Sequence, residues 1–204
     1  MHKQISGRLS VSYGGVLVPT LLLTFLFVFS QVAFATLESD RQLFSQKISN
    51  YNKAIKATPR MPRLYEERGK CLMDAKYDKE ALDDFNAAVL LGTNNYLLYE
   101  YRGDLLIQHE RYPLAIKSYD QAIRLKPDDA GCWYLRGMAN GRFKRYKESI
   151  DDCTESIRLN PKNGIAYALR GYAYERLGQR IEAEKDMQKA KELGMPAKFL
   201  MDIH

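Results

Sequence analysis

Between residues 62 and 195 the hydrophobic and polar positions of this chain follow one frame. An aromatic side chain stands at Tyr65, Tyr99, Trp133 and Tyr167, each four residues before a glycine in the pairs Arg68-Gly69, Arg102-Gly103, Arg136-Gly137 and Arg170-Gly171. Twelve residues after each glycine comes a small residue, Ala81, Ala115, Ser149 and Ala183, and nineteen after it another, Ala88, Ala122, Ser156 and Ala190. Sixteen after it stand Phe85, Tyr119, Cys153 and Met187. The interval is 34 residues each time, so the chain is an internal repeat before it is anything else. Small residues recur where two helices must touch closely, and Pro127 and Pro161 close units by stopping one helix and beginning the next.

This frame of aromatic, glycine, alanine, aromatic, alanine and proline resembles the tetratricopeptide repeat, which has the same period. The resemblance covers residues 62 to about 195. It implies an all-α fold, a right-handed superhelical solenoid of antiparallel helix pairs, in which helix A carries the aromatic residue and the glycine and helix B the two small residues. Four units are expected, at 62–95, 96–129, 130–163 and 164–195, with a short tail at 196–204. An incomplete unit precedes them. "FSQKISNYNKAIKATP" overlays "YPLAIKSYDQAIRLKP", so residues 38 to 57 are expected to form a lone helix within a half repeat at 36–61 that caps the first full unit. At the other end "MPAKFLMDIH" is short for a solvating helix, which leaves Met187 and Phe199 as expected exposed apolar surface.

The residue before each glycine departs from the family, whose usual leucine is arginine here in all four units. An aspartate lies fifteen residues after the glycine in three of them, Asp84, Asp152 and Asp186, while Ser118 takes that place in the second. Antiparallel helices would bring these slots to one level, so an Arg to Asp bridge within each hairpin is expected, and the arginines read as architectural.

Outside the frame, residues 9 to 37 carry no charge and follow Lys3 and Arg8. An apolar core from Val16 to Phe29, then Ala33-Phe34-Ala35, has the pattern of an export signal cleaved after Ala35. Its uncleaved version, 20 residues from Val16 to Ala35, would anchor the repeats on the non-cytoplasmic side. The membrane thus enters only through the leader, and the repeats are expected to be periplasmic, secreted or lumenal. The chain's formal charge is +6, and without the leader's two bases 29 basic residues face 25 acids. That is too mild a balance to imply nucleic acid, which needs bases gathered on one face. Cys71, Cys132 and Cys153 form an odd set without C-x-x-C spacing, so neither zinc nor a redox pair is indicated and three buried thiols are expected.

Catalytic parts are scarce. His109 is the one histidine inside the repeats and lacks an H-E-x-x-H context, and no phosphate loop or G-x-S-x-G turn occurs. No catalytic, cofactor-binding or metal site is expected. What the resemblance implies instead is a concave groove lined by the A helices, across which a partner's peptide or helix lies. Mapping the inward slots gives a lining that is charged in the first unit, with Glu66, Glu67 and Lys70, and aromatic and apolar in the last two, with Leu135, Ala168 and Leu169 among its apolar members. The residues expected to carry partner binding are Tyr101, Asp104, Tyr134, Met138, Arg142, Tyr172, Glu175 and Arg176. The family's clamp for acidic peptide termini is absent, since its places hold Glu66, Lys70, Tyr101, Gly131 and Leu135. The alternative expectation is a homo-oligomer that stacks through the thinly capped C-terminal unit.

Overall fold

The computed structural model describes residues 41–196, together with the pairs 12–13 and 16–17. The chain divides into two compact units, residues 1–50 and 51–204, each considered by itself. In the first, β1 (Ser12–Tyr13) and β2 (Val16–Leu17) form a two-residue antiparallel ladder that pairs Ser12 with Leu17 and Tyr13 with Val16. The remainder of the expected leader, its cleavage site after Ala35 and the tail residue Phe199 lie outside the described residues. Among those described, no helix is long and apolar enough to cross a membrane.

Helix α1 is described over residues 41–57. Four helical hairpins follow: α2 (Pro62–Asp74) with α3 (Asp78–Leu90), α4 (Tyr96–Gln108) with α5 (Tyr112–Leu125), α6 (Ala130–Arg142) with α7 (Tyr146–Leu159), and α8 (Gly164–Arg176) with α9 (Arg180–Glu192). The second helix of each of the first three hairpins also packs on the first helix of the next, and α6 stands beside both α4 and α8, so these three A helices share a face. Local chemistry sets the ends. Asn95, Asp129 and Asn163 cap α4, α6 and α8 by accepting from Leu97, Gly131 and Ala166 backbone N–H groups, which satisfies donors that a helix start leaves open. Proline sits in the first turn of α2 and α5, where its missing N–H costs nothing. The turn from A to B needs one left-handed residue, at Lys76, Glu110, Lys144 and Gly178, again 34 apart.

The packed interior is the repeat frame made solid. Ala81, Ala88, Ala115, Ala122, Ser149, Ser156 and Ala190 are 0 to 1% exposed and Ala183 is 6%. The glycine of each A helix admits the residue sixteen later on helix B. A Cβ on Gly103 would lie 2.5 Å from the Tyr119 ring, and one on Gly137 would lie 2.9 Å from Cys153 Sγ and 3.3 Å from the Ser149 carbonyl oxygen. Cys71, Cys132 and Cys153 are buried thiols, as their spacing implied, and burial pushes the Cys153 thiol up to about 12.

The expected bridges form in three units. Arg68 donates to Asp84 from Nε (2.7 Å) and Nη2 (2.5 Å), Arg136 to Asp152 from Nε (3.1 Å) and Nη2 (2.6 Å), and Arg170 to Asp186 from Nε (2.7 Å) and Nη2 (2.9 Å). The aspartate side chains are 5 to 6% exposed, far from the situation of a surface pair. Each arginine also reaches backward sixteen residues with its remaining nitrogen, to Asn52, Asp120 and Thr154, and lies over the aromatic three residues before it, Tyr65, Trp133 and Tyr167. The guanidinium thus ties its own hairpin to helix B of the preceding one. Asn52 of α1 takes the place that Asp120 and Thr154 take later, so the end of α1 serves the first hairpin as a helix B.

Candidate partner-binding face

Of the eight residues expected to line the groove, five fall into two clusters along the A helices. In the first, Tyr101 on α4 stacks on Phe85 at 6.3 Å between ring centroids and 28° between planes, with the Lys70 ammonium 5.3 Å from its ring centre. Asp104, one turn on, accepts a 2.7 Å hydrogen bond from the Tyr119 hydroxyl, and burial raises its pKa. Tyr134 on α6 is half-buried, and its hydroxyl pKa is raised by burial and then by the nearby charges of Asp104, Glu100 and Asp129.

The second cluster lies toward the C-terminus. Tyr172 on α8 meets Tyr146 edge to face, at 6.2 Å and 81°. The Arg176 guanidinium lies over both rings, 5.3 Å from that of Tyr146 and 5.8 Å from that of Tyr172, and Nη1 donates to the Tyr172 oxygen at 3.3 Å. Met138 is half-buried, while Arg142 and Glu175 are exposed.

Several residues of the mapped lining belong elsewhere. Ala168 is 0% exposed and Leu169 8%, so both are interior, and Leu135 packs against the cluster of Leu106, Ala115, Ile116, Tyr119 and Ala139. Met187, expected at an exposed end, is half-buried with Tyr167 and Met195 against Ala168 and Ala190. Glu66 holds the next unit in place, accepting from Thr93 Oγ1 and from Asn95 Nδ2 at 2.9 Å. Sequence reasoning missed Tyr146, because it opens a B helix while the mapping drew only on A helices. The signal available was its place 34 residues after Tyr112.

One grouping has metal-ligand character. Among the described residues Glu100, Asp129 and Cys132 bring ligand-type atoms within 4.8 Å of one another. Each already has a partner within the protein: Asp129 accepts from the Gly131 N–H at 2.7 Å as the α6 cap, and the Cys132 thiol donates to Glu100 at 3.0 Å. Burial raises the pKa of both Glu100 and Cys132, which keeps the thiol protonated as a donor. A thiol held in that form is a hydrogen-bonding group, whereas metal binding needs the thiolate.

Comparison with known proteins settles what the hairpins are. A family model described as TPR repeat matches residues 103–142, and one described as tetratricopeptide repeat matches residues 130–163 and 165–193. Residues 103–163 and 165–193 thus match tetratricopeptide repeats, and the whole array has the helical-solenoid fold of such repeats. Among solved structures, two crystal structures of MamA are 28% and 26% identical to this chain, with TM-scores of 0.70 and 0.71. They cover 74% and 78% of this chain and 88% and 86% of their own. YrrB, described as a TPR protein with an unusual peptide-binding site, is 22% identical with a TM-score of 0.74, over 83% of this chain and 88% of its own. No curated protein matches this chain.

Proposed function

We propose that this chain is a non-catalytic scaffold that binds another protein, taking an extended peptide or a helix across the face shared by its A helices. The observation that carries this reading is the Tyr146, Tyr172 and Arg176 cluster. Two tyrosines and an arginine, held by contacts to one another, present aromatic and planar cationic surface with its rotamers already ordered. Those residue types supply most of the energy in protein interfaces, and a preordered anchor loses less entropy on binding. The half-buried acids at Glu100 and Asp104 make the middle of the face suited to a basic side chain and unsuited to an acidic terminus. YrrB, similar in fold, is a peptide binder, which supports the same use of this one. We further propose that the leader, two bases followed by the uncharged stretch 9–37, exports the array, so that the partner lies outside the cytoplasm.

Crosslinked affinity capture from the exporting cell identifies the partner, and paired variants then test the face. Tyr134→Ala with Tyr172→Ala is expected to weaken binding by about tenfold or more, since truncating an anchor costs about 2 kcal/mol. Glu67→Lys with Asp74→Lys, both exposed on α2, is expected to change chiefly the rate of encounter and its salt dependence. Glu66 is unsuitable for charge reversal because it holds Thr93 and Asn95. Normal binding by the tyrosine variant would remove the reading.

A second reading is favoured by Ile181, 80% exposed on the last helix, near Leu177 at 38%. Copies could associate through this edge. Light scattering across a concentration series decides it: mass that grows with concentration supports self-association, and constant mass removes it.

A further inference from the structure

The arginine series has one discordant member. Arg102 donates from Nε to Asn86 Oδ1 at 2.8 Å and from Nη1 to Ser118 Oγ at 2.6 Å, so both of its partners are neutral. Among the described residues it forms no ion pair, and Nη2 donates to nothing. Its guanidinium is nonetheless partly removed from water, like the three that hold aspartates.

The surroundings of Arg102 sharpen the contrast. One unit later a crevice of about 270 Å³ opens among α5, α6 and α7, and Asp120, Glu148, Asp151 and Asp152 line it together with Arg136 and Arg145. Carried back 34 residues, those six positions hold Asn86, Leu114, Lys117 and Ser118 with Arg102 and Arg111. Four carboxylates have become none, and two cations have become three. Burial lowers the Arg102 pKa, with the like charge of Arg111 adding to the fall against a smaller opposing effect of Tyr99, whereas the Arg68, Arg136 and Arg170 values are raised. Repeat symmetry has kept the arginine, half-buried, while removing the carboxylate that pairs with it elsewhere.

We propose that Arg102, Arg111 and Lys117 form a phosphate-binding site on the helix-B side of the second repeat, with buried Ser118 positioning the Arg102 guanidinium, distinct from the partner-binding face. The unused Nη2 of Arg102 can donate to one phosphate oxygen while the Asn86 and Ser118 side chains hold the guanidinium in place, and Arg111 and Lys117 supply charge-assisted donors for the other oxygens. Arg111 and Lys117 are exposed, so they can turn toward a ligand. Three cations without an acid favour a dianion over a carboxylate.

The test follows thermal melting of the full chain in inorganic phosphate, acetate and chloride at equal ionic strength. Phosphate also strengthens folding generally by exclusion from protein surfaces, so the decisive comparison is between variants. The wild-type midpoint is expected to rise saturably at millimolar phosphate. Ser118→Asp places in the second unit the carboxylate of the other three, and it should start from a higher midpoint with the saturable response lost. Arg111→Ala with Lys117→Ala, both at exposed positions, should lose the response without starting higher. No saturable rise in the wild type, the same rise in these variants, or an equal rise in acetate each overturns the proposal.

Discussion

At the scale of single residues, the arginine before each glycine does more than its sequence position implied. Because Arg136 replaces the family's leucine, sequence position alone makes Arg136→Leu look cheaper than Gly137→Leu. The geometry raises the cost of Arg136→Leu, since the change strands Asp152, 4% exposed, with Asn140 Nδ2 as its remaining donor at 2.9 Å. Breaking such a pair from one side typically costs about 3 to 5 kcal/mol. Gly137→Leu forces a side chain against Cys153 Sγ and the Ser149 carbonyl, an overpacking of about 1 to 3 kcal/mol or more, because backbone cannot yield as a side chain can. Both variants are therefore expected to melt well below the wild type. Arg136→Leu with Asp152→Leu should recover part of the loss, since an apolar pair leaves no buried charge behind. A double-mutant cycle by urea denaturation checks this, and additive losses would show that the pair is not coupled.

At the scale of elements, the turn from A to B is the place where sequence and backbone disagree. Lys76, Glu110 and Lys144 adopt φ of 66°, 56° and 63°, a region that glycine enters freely and other residues do not; the fourth unit places Gly178 there, at 77°. Lys144→Gly is expected to stabilise by up to about 1 kcal/mol, the relief of left-handed strain less glycine's extra chain entropy. Chemical denaturation reads the sign, and a loss of stability would mean that Lys144 is held there by contacts worth more than the strain. The units themselves were legible in the sequence because a 34-residue period carries its own alignment: once Gly69, Gly103, Gly137 and Gly171 are superposed, helix, turn and core positions follow. The forward bridges to Asp84, Asp152 and Asp186 were legible for the same reason. The backward arms to Asn52, Asn86, Asp120 and Thr154 were not, because two asparagines, an aspartate and a threonine announce no common role until the structure puts them at one place. The proposed partner face is legible in the sequence only in outline. Periodicity assigns a residue to a side of a helix but does not show that Asp104 is engaged by Tyr119, or that Tyr146 from a B helix completes the aromatic cluster.

At the scale of the whole molecule, stability should depend on pH in a way that the acids of the A-helix face determine. Glu100 and Asp104 both have pKa values raised chiefly by burial, with hydrogen bonds from Cys132 and Tyr119 opposing the rise. Asp129 adds to the effect on Glu100 as a like charge. A raised carboxylate pKa means that the folded chain binds more protons than the unfolded one between the two values. Stability contributed by these groups therefore falls as pH rises from the ordinary carboxylate range near about 4 through the folded values, and is constant above them. Glu100→Gln with Asp104→Asn keeps an acceptor oxygen for each donor and removes the ionisation. Relative to the wild type, that variant is expected to gain stability as pH rises through this window and then to hold a constant margin at neutral pH. Urea denaturation of both proteins across pH 4 to 8 gives the difference directly, and a difference that does not change with pH would show that ionising these acids costs the fold nothing. The same measurement bears on binding. A partner that places a basic side chain beside Glu100 and Asp104 offsets the charge they carry at neutral pH, so the margin of the variant should shrink once the partner is bound. A margin unchanged by the partner would place the bound segment elsewhere on the face, at the Tyr146, Tyr172 and Arg176 end alone.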